Sequence, residues 1–465
     1  MLARGRTESF MNVLSRISRR AFQTVRHWFT DGVFRRIFKN AALMLTGRAT
    51  NGLLGLATLS LSARGLGLEL FGVFVLLQTY VQVITALATF QSWQAVIRYG
   101  AISLEENDTP GFQALLKFTT GLDFAGVLLG TLIGFAAAPL IGPYLGWSEQ
   151  VIGYAQPFSL LILFTMTATP TGLLRLYDRF DLLAAQAVVT PLFRLVGVAV
   201  AVFLDAPLWG YLVAWFVASV IGGAVLIYLG WREARRHGRL MGLDLSFRGT
   251  TAAHGGIWRF SIFSNLHASL QIVTGQMSTL LVGVLAGPAA AGIFKIGRDV
   301  ATAISKPAEL LNQSIYPEFA RLGSRGDWQD FKRLIVRGGV VAGAGAVALL
   351  ILAIFAGRFF IGVFFGPDFA EAYLPLVLLV ATAGMTICGF PMDPALYAMG
   401  RPSIPLRIDT VVILGLYLPS LVILTRVYGP TGAAAASLIT AAVSVVAMTL
   451  LTAGQLRRRI TATSA

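Results

Sequence analysis

The chain has 465 residues, 56% of them hydrophobic and only 13% charged, with a net charge of +15 and a mean hydropathy of +0.72. No soluble domain of this length needs that much apolar surface, so the long uncharged runs read as membrane spans of roughly 20 residues each. The basic residues are not interleaved with aromatics but lie between apolar runs, which excludes nucleic acid as a partner, and the single cysteine, Cys388, excludes an intrachain disulfide and a cysteine-rich metal site.

Residues 1–40 are basic from Arg4 to Lys39, opposed only by Glu8 and Asp31, and Phe10, Val13, Leu14 and Ile17 recur among them at helical spacing. No continuous apolar stretch follows the basic start, so this is not a secretory signal. An organelle transit peptide would look similar; the pattern is read here as an amphipathic helix lying in the plane of the anionic cytoplasmic leaflet. The apolar periodicity then predicts an all-α, polytopic membrane protein with about twelve helices. They fall near 41–63, 71–97, 112–138, 151–173, 181–204, 208–230, 256–285, 290–318, 334–357, 372–399, 404–426 and 431–453. Residues 41–230 form a first lobe, 231–255 a cytoplasmic linker, 256–453 a second lobe and 454–465 a cytoplasmic tail.

The second lobe echoes the first. Leu66-Gly67 and Gly72-Val73-Phe74 reappear as Ala286-Gly287 and Gly292-Ile293-Phe294, and 287 − 67 and 294 − 74 both give 220. Ile141-Gly142 and Gly146 reappear as Ile361-Gly362 and Gly366, while Arg179, Gly210 and Arg235-Arg236 match Arg401, Gly432 and Arg457-Arg458 at an offset of 222. Two pseudo-symmetric six-helix lobes facing each other follow, and their interface is the expected place for a site.

Of the 37 lysines and arginines, about 27 fall in the N-terminal tail and the even-numbered links and about three (Arg64, Arg358, Arg426) in the odd-numbered ones. This bias places both termini in the cytoplasm. The external links are all short, which argues against a membrane glycosyltransferase or polymerase. The sequence holds no G-x-x-x-x-G-K-[ST], no HExxH, no CxxC and no plausible Ser-His-Asp set, so no enzyme activity, cofactor or metal is expected.

Seven basic residues remain inside spans. Lys117, Arg259 and Lys295 lie close enough to span ends to snorkel, whereas Arg48, Arg194, Arg298 and Lys306 are deeper and are expected to face a lumen. In the eighth span Lys295, Arg298, Asp299, Thr302, Ser305, Lys306, Glu309, Asn312 and Gln313 share an arc of about 140° at ~100° per residue. Lys295–Asp299 and Lys306–Glu309 are spaced to pair along the helix, which leaves Arg298 without a local acid. The second span carries an uncharged polar arc of Gln78, Thr79, Gln82, Thr85 and Thr89. Asp123, Asp393 and the paired acids Asp299 and Glu309 either bind a coupling ion or balance the cations. Pro170, Pro307, Pro391 and Pro394 interrupt spans and allow them to bend.

Arg48, followed by A-R-G-L-G-L-E-L-F-G-V-F from Ala63 to Phe74, resembles the opening of bacterial polysaccharide transporters, and F-F-G-P-D-F-A-E-A-Y from Phe364 to Tyr373 resembles a second stretch typical of them. The family is the Wzx-type lipid-linked oligosaccharide flippases of the multidrug/oligosaccharidyl-lipid/polysaccharide exporter superfamily. The resemblance implies a bilobed, V-shaped helical bundle of the multidrug-exporter type in the bacterial inner membrane, with a cationic central cavity. It implies movement of undecaprenyl-diphosphate-linked oligosaccharide to the periplasmic leaflet during lipopolysaccharide or exopolysaccharide synthesis, alongside a polysaccharide polymerase and a chain-length regulator. Arg48, Arg194, Arg298 and Lys306 would hold the diphosphate. A drug or organic-cation antiporter of the same superfamily is the competing reading, and it predicts acids dominating the cavity. The basic N-terminal extension departs from the family pattern.

Overall fold

The computed structural model describes residues 32–242, 255–401 and 403–464. Among them the chain runs through α1 (Gly32–Ala88), α2 (Ser92–Glu105), α3 (Thr109–Ile141), α4 (Glu149–Phe158), α5 (Ala168–Leu176), α6 (Phe180–Phe203) and α7 (Leu208–Arg236). It continues through α8 (Ile257–Arg325), α9 (Trp328–Phe364), α10 (Tyr373–Gly389), α11 (Met392–Ala398), α12 (Ser403–Val412) and α13 (Leu418–Ser464). Nine helical stretches among the described residues are long and apolar enough to cross a bilayer. The protein is an all-α, multi-pass membrane protein.

Three glycines decide how the longest stretches fit a membrane. A stretch of 57 residues, Ala49–Glu105, would reach about 85 Å as a straight helix, far beyond a hydrocarbon core of ~30 Å. It breaks at Gly67 (φ 69°, ψ 174°), as α8 breaks at Gly287 (φ 88°, ψ 172°) and α13 at Gly429 (φ 57°, ψ −138°). The first two conformations lie in a region that a Cβ makes essentially inaccessible, so glycine is required.

The backbone irregularities recur at the offsets read from the sequence. Gly146 (φ 72°) and Gly366 (φ 100°) correspond at 220, and Asp178 (φ 58°) and Gly400 (φ 73°) at 222. The turns they make are closed by the same bond, Arg179 N–H to Leu174 O at 2.8 Å and Arg401 N–H to Leu396 O at 2.9 Å. The halves of the sequence touch at equivalent positions: a Cβ on Gly292 would lie 3.2 Å from the Gly72 Cα, and one on Gly72 would overlap the Pro288 carbonyl. Small residues here let the backbones approach. Around them Phe71, Phe74, Phe294, Phe365 and Phe369 are fully buried, with Phe71 edge-on to Phe369 at 5.5 Å. Arg64 Nε donates to the Phe364 carbonyl at 2.9 Å, Arg64 Nη2 donates to Val363 O, and Ser60 Oγ donates to Phe364 O. These are terminal carbonyls of α9, which lack helical donors and favour a cation.

Several spans differ from their sequence expectation. The second, read as continuous over 71–97, is interrupted between Ala88 and Ser92, and the fourth passes through a tight turn at Ser159–Thr165 before restarting at Ala168. Pro170 suits the first turn of α5 because its missing N–H would be unpaired there in any case. The tenth restarts at Met392 after Pro391, and the eleventh contains a wide turn at Ile413–Tyr417. In the other direction, α7 continues to Arg236, past the expected end at 230, because no glycine or proline stops it and Glu233 gains Arg179 as a partner at 2.9 Å. Residues Gly32–Lys39 are the first turns of α1, not part of a separate in-plane helix. The rest of that predicted segment and most of the mid-chain linker lie outside the described residues.

Because the atom facing Gly72 is backbone and cannot yield, Gly72→Ala is expected to destabilise the protein by roughly 1–3 kcal/mol. Gly153→Ala, with nothing within 4 Å of the new Cβ, should leave the thermal midpoint in detergent unchanged. Equal midpoints for the two variants would contradict the close contact.

Candidate functional site

A cavity of about 470 Å³ opens among the second arm of α1, the α4–α5 break, α6, α7 and Gln276 of α8. Its polar wall is built by helical periodicity. Gln78, Gln82, Thr85 and Thr89 recur every three or four residues along α1, and Gln186, Thr190 and Arg194 recur every four along α6. The remaining side is made by Trp215 and Ser219 of α7 together with Thr165 and Thr167 at the break.

Arg194 is the ionisable residue of this lining, which among the described residues contains no acid. Its guanidinium stands 3.9 Å over the Trp215 ring, and Nη2 donates to Ser219 Oγ at 3.1 Å. Small residues let α6 and α7 come close enough for this reach: a Cβ on Gly197 would lie 2.8 Å from Ala214 Cβ, and one on Gly222 would overlap Thr190 Oγ1. Trp215 is itself fixed edge-on against Phe74 at 5.6 Å. Arg194 Nε, Gln78 Nε2 and Gln276 Oε1 are buried with no protein hydrogen-bond partner among the described residues. Buried polar groups are costly unless paired, so this arrangement requires water or a polar ligand in the cavity. A guanidinium with a free N–H, flanked by amides and hydroxyls, suits an anion carrying further hydroxyl groups.

The other sequence-predicted residues are placed as follows. Arg298 is half-buried and bonds back across the Gly287 turn, donating to Thr279 Oγ1 at 3.1 Å and Ser278 Oγ at 3.5 Å. Neither partner is an acid, and Arg298 does not line the Arg194 cavity. Lys295 and Asp299 form their helical pair at 2.7 Å. The side chains of Arg48, Lys306 and Glu309 lie outside the described residues; beside Arg48, a Cβ on Gly47 would meet the Ala184 carbonyl of α6 at 2.9 Å. Asp393 is half-buried in the first turn of α11.

Asp123 is 2% exposed and accepts from Ser92 Oγ at 2.5 Å, Thr169 N–H at 2.9 Å and Thr169 Oγ1 at 2.7 Å. Ser92 and Thr169 stand in the first turns of α2 and α5, so one carboxylate satisfies a first-turn backbone N–H of α5 and ties it to a hydroxyl in the first turn of α2. No guanidinium or ammonium is among these hydrogen-bond partners. Of the cavity wall, sequence reading identified the α1 stripe and Arg194 but missed Gln186, Thr190, Trp215, Ser219 and Gln276. The four-residue spacing of Gln186, Thr190 and Arg194 in an otherwise apolar span was the available signal.

The polar, cation-bearing cavity thus lies inside a multi-pass helical bundle whose backbone breaks recur in both halves of the sequence. The fold is that of the multidrug/oligosaccharidyl-lipid/polysaccharide exporter superfamily: an inward-facing multidrug resistance transporter of its MATE family superposes with a TM-score of 0.68 at 13% identity, over 90% of this chain and 96% of that one. The sequence profile described as polysaccharide biosynthesis protein matches residues 37–323. The inner membrane protein YghQ of Escherichia coli (strain K12) is 34% identical over 351 residues, 75% of this chain and 98% of that protein. The probable flippase AglR of Haloferax volcanii is 21% identical over 415 residues, 87% of this chain and 81% of that protein. The chain belongs to the polysaccharide biosynthesis protein family.

Removing the Asp123 carboxylate leaves buried donors unpaired at about 1–3 kcal/mol each. Asp123→Ala should therefore lower the thermal midpoint clearly, with Asp123→Asn, which keeps one acceptor oxygen, falling between it and the parent. A fully stable alanine variant would contradict the capping role.

Proposed function

We propose that this chain is a flippase that carries undecaprenyl-diphosphate-linked oligosaccharide from the cytoplasmic to the periplasmic leaflet of the inner membrane. The observation that carries this reading is the Arg194 cavity, whose lining among the described residues holds one guanidinium, many amides and hydroxyls, and no acid. A diphosphate-linked sugar cannot enter hydrocarbon unaided, because its charges and hydroxyls would lose their water. In the proposed cycle Arg194 holds the diphosphate, the glutamine and threonine stripes replace water around the sugar, and the polyprenyl tail stays in lipid.

In this reading the turns at Gly67, Gly287 and Gly429 divide the nine apolar stretches into twelve crossings. The crossings form two six-helix lobes, 41–230 and 256–453, with both termini cytoplasmic as the Lys/Arg bias requires. Arg298, Arg48 and Lys306 would extend the positive surface beyond Arg194, and Asp123, Asp299, Glu309 and Asp393 would balance charge or couple an ion. With the cytoplasm negative, outward movement of an anion is favoured by about 2.3 kcal/mol per charge per 100 mV, so no nucleotide site is needed. The 21% identity to the probable flippase AglR agrees with this reading. The MATE-type fold alone would equally serve an organic-cation antiporter, but that activity calls for acids where this cavity has Arg194.

Arg194→Ala and Arg298→Ala should each abolish polymer export in a complementation assay while protein remains in the membrane at normal levels. Binding of lipid diphosphate-sugar to the purified protein should weaken as ionic strength rises through the range where the Debye length shrinks to about 8 Å. Normal polymer from both variants, or tight binding of a cationic drug with none of the diphosphate lipid, would favour the antiporter.

A further inference from the structure

A second cavity, of about 390 Å³, lies elsewhere in the fold, enclosed by the first turns of α9, the α10–α11 junction and the last turns of α13. It shares no lining residue with the Arg194 cavity. Its body is apolar, with Val340 and Leu456 among its walls, and among the described residues Lys332 and Arg457 are its only charged lining residues. Both cations are exposed and make no ion pair among the described residues. Their neighbours are engaged: Arg333 pairs with Asp330 at 2.6 Å, Arg321 pairs with Glu318 at 2.5 Å, and Arg459 lies 5.6 Å from the Trp328 ring centre.

Within the cavity wall Thr452 is 2% exposed and its hydroxyl has no partner. Its neighbour Thr449 on the same helix bonds back to the carbonyl four residues earlier at 2.7 Å, the usual resolution for a hydroxyl in an apolar helix.

The dimensions match one leaflet. From Lys332 to Val340 and from Arg457 back to Thr449 the helices advance eight residues, about 12 Å, against roughly 15 Å for half a hydrocarbon core. Trp328 and the two cations stand at one end of this span, at the level where aromatic and basic residues meet headgroups. We propose that this cavity binds an anionic glycerophospholipid, its phosphate between Lys332 and Arg457 and one acyl chain in the slot. The lipid comes from the leaflet beside the chain's C-terminal end. The cations supply the charge preference, and the recessed apolar slot, open on one side, separates a held lipid from the surrounding annulus. The proposal does not depend on the flippase reading, since binding is measured without transport.

The test uses the full-length protein purified in neutral detergent, titrated with phosphatidylglycerol or phosphatidylcholine of identical chains and read by native mass spectrometry. Phosphatidylglycerol should bind preferentially. Replacing both cations (Lys332→Gln with Arg457→Gln) should weaken it about 25-fold, at roughly fivefold per cation near a headgroup. Arg337→Gln with Arg458→Gln, also exposed but outside the cavity lining, should change little. Val340→Phe, at an exposed wall position, should weaken binding by filling the slot, and Ala453→Phe serves as a second filling variant if the first lowers the thermal midpoint. Equal binding of the two lipids, or undiminished phosphatidylglycerol binding in a folded filling variant, would overturn the site. Binding of lipid diphosphate-sugar here in place of phosphatidylglycerol would overturn the assignment of its occupant.

Discussion

A guanidinium inside a membrane bundle must keep either water or a set of dipoles, because hydrocarbon offers neither and the cost runs to several kcal/mol. Arg194 illustrates how far that demand propagates. The contacts of Gly197 with Ala214 and of Gly222 with Thr190 draw α6 and α7 together, so that the guanidinium can lie on Trp215 and donate to Ser219. Even so, one N–H is left over, as are one amide donor of Gln78 and the amide oxygen of Gln276. A dry cavity would leave all three unpaired, so the interior has to be wet. The stripes on α1 and α6 are what a wet wall looks like in helical terms.

Glycine sets the scaffold around that cavity. Gly67 and Gly287 turn the chain where no other residue could, and Gly72 and Gly292 let the two turned arms meet backbone to backbone. Close to this seam Arg64 reaches the terminal carbonyls of α9.

Much of this was readable from the chain because glycine spacing and helical periodicity are local signals. The 220-residue echo of Gly67 and Gly72 marked two equivalent halves, which share a turn at the first glycine and meet at the second, and the polar arc on the second span lines the cavity, apart from Thr79, whose hydroxyl bonds back to Val75 O at 2.7 Å. The family resemblance agrees with the profile match over residues 37–323, which contains Ala63–Phe74 and ends before Phe364. What escaped were features that depend on contacts between distant segments. Trp215 and Ser219 look like ordinary span residues until α7 packs on α6. Asp123 reads as an isolated intramembrane acid until α2 and α5 deliver Ser92 and Thr169 to it. Arg298 faces a polar arc in the sequence, yet its reach is set by the turn at Gly287, which brings Thr279 alongside.

The central claim, that an arginine-bearing wet cavity moves an anionic lipid-linked sugar across the bilayer, is tested most directly in proteoliposomes. Fluorescent polyprenyl-diphosphate sugar is placed in one leaflet and its arrival in the other is followed by a membrane-impermeant lectin. The account predicts transfer well above that of protein-free liposomes, and its disappearance when Arg194 is replaced by glutamate. Transfer no faster than in empty liposomes, from folded protein that extrudes a cationic dye, would contradict it.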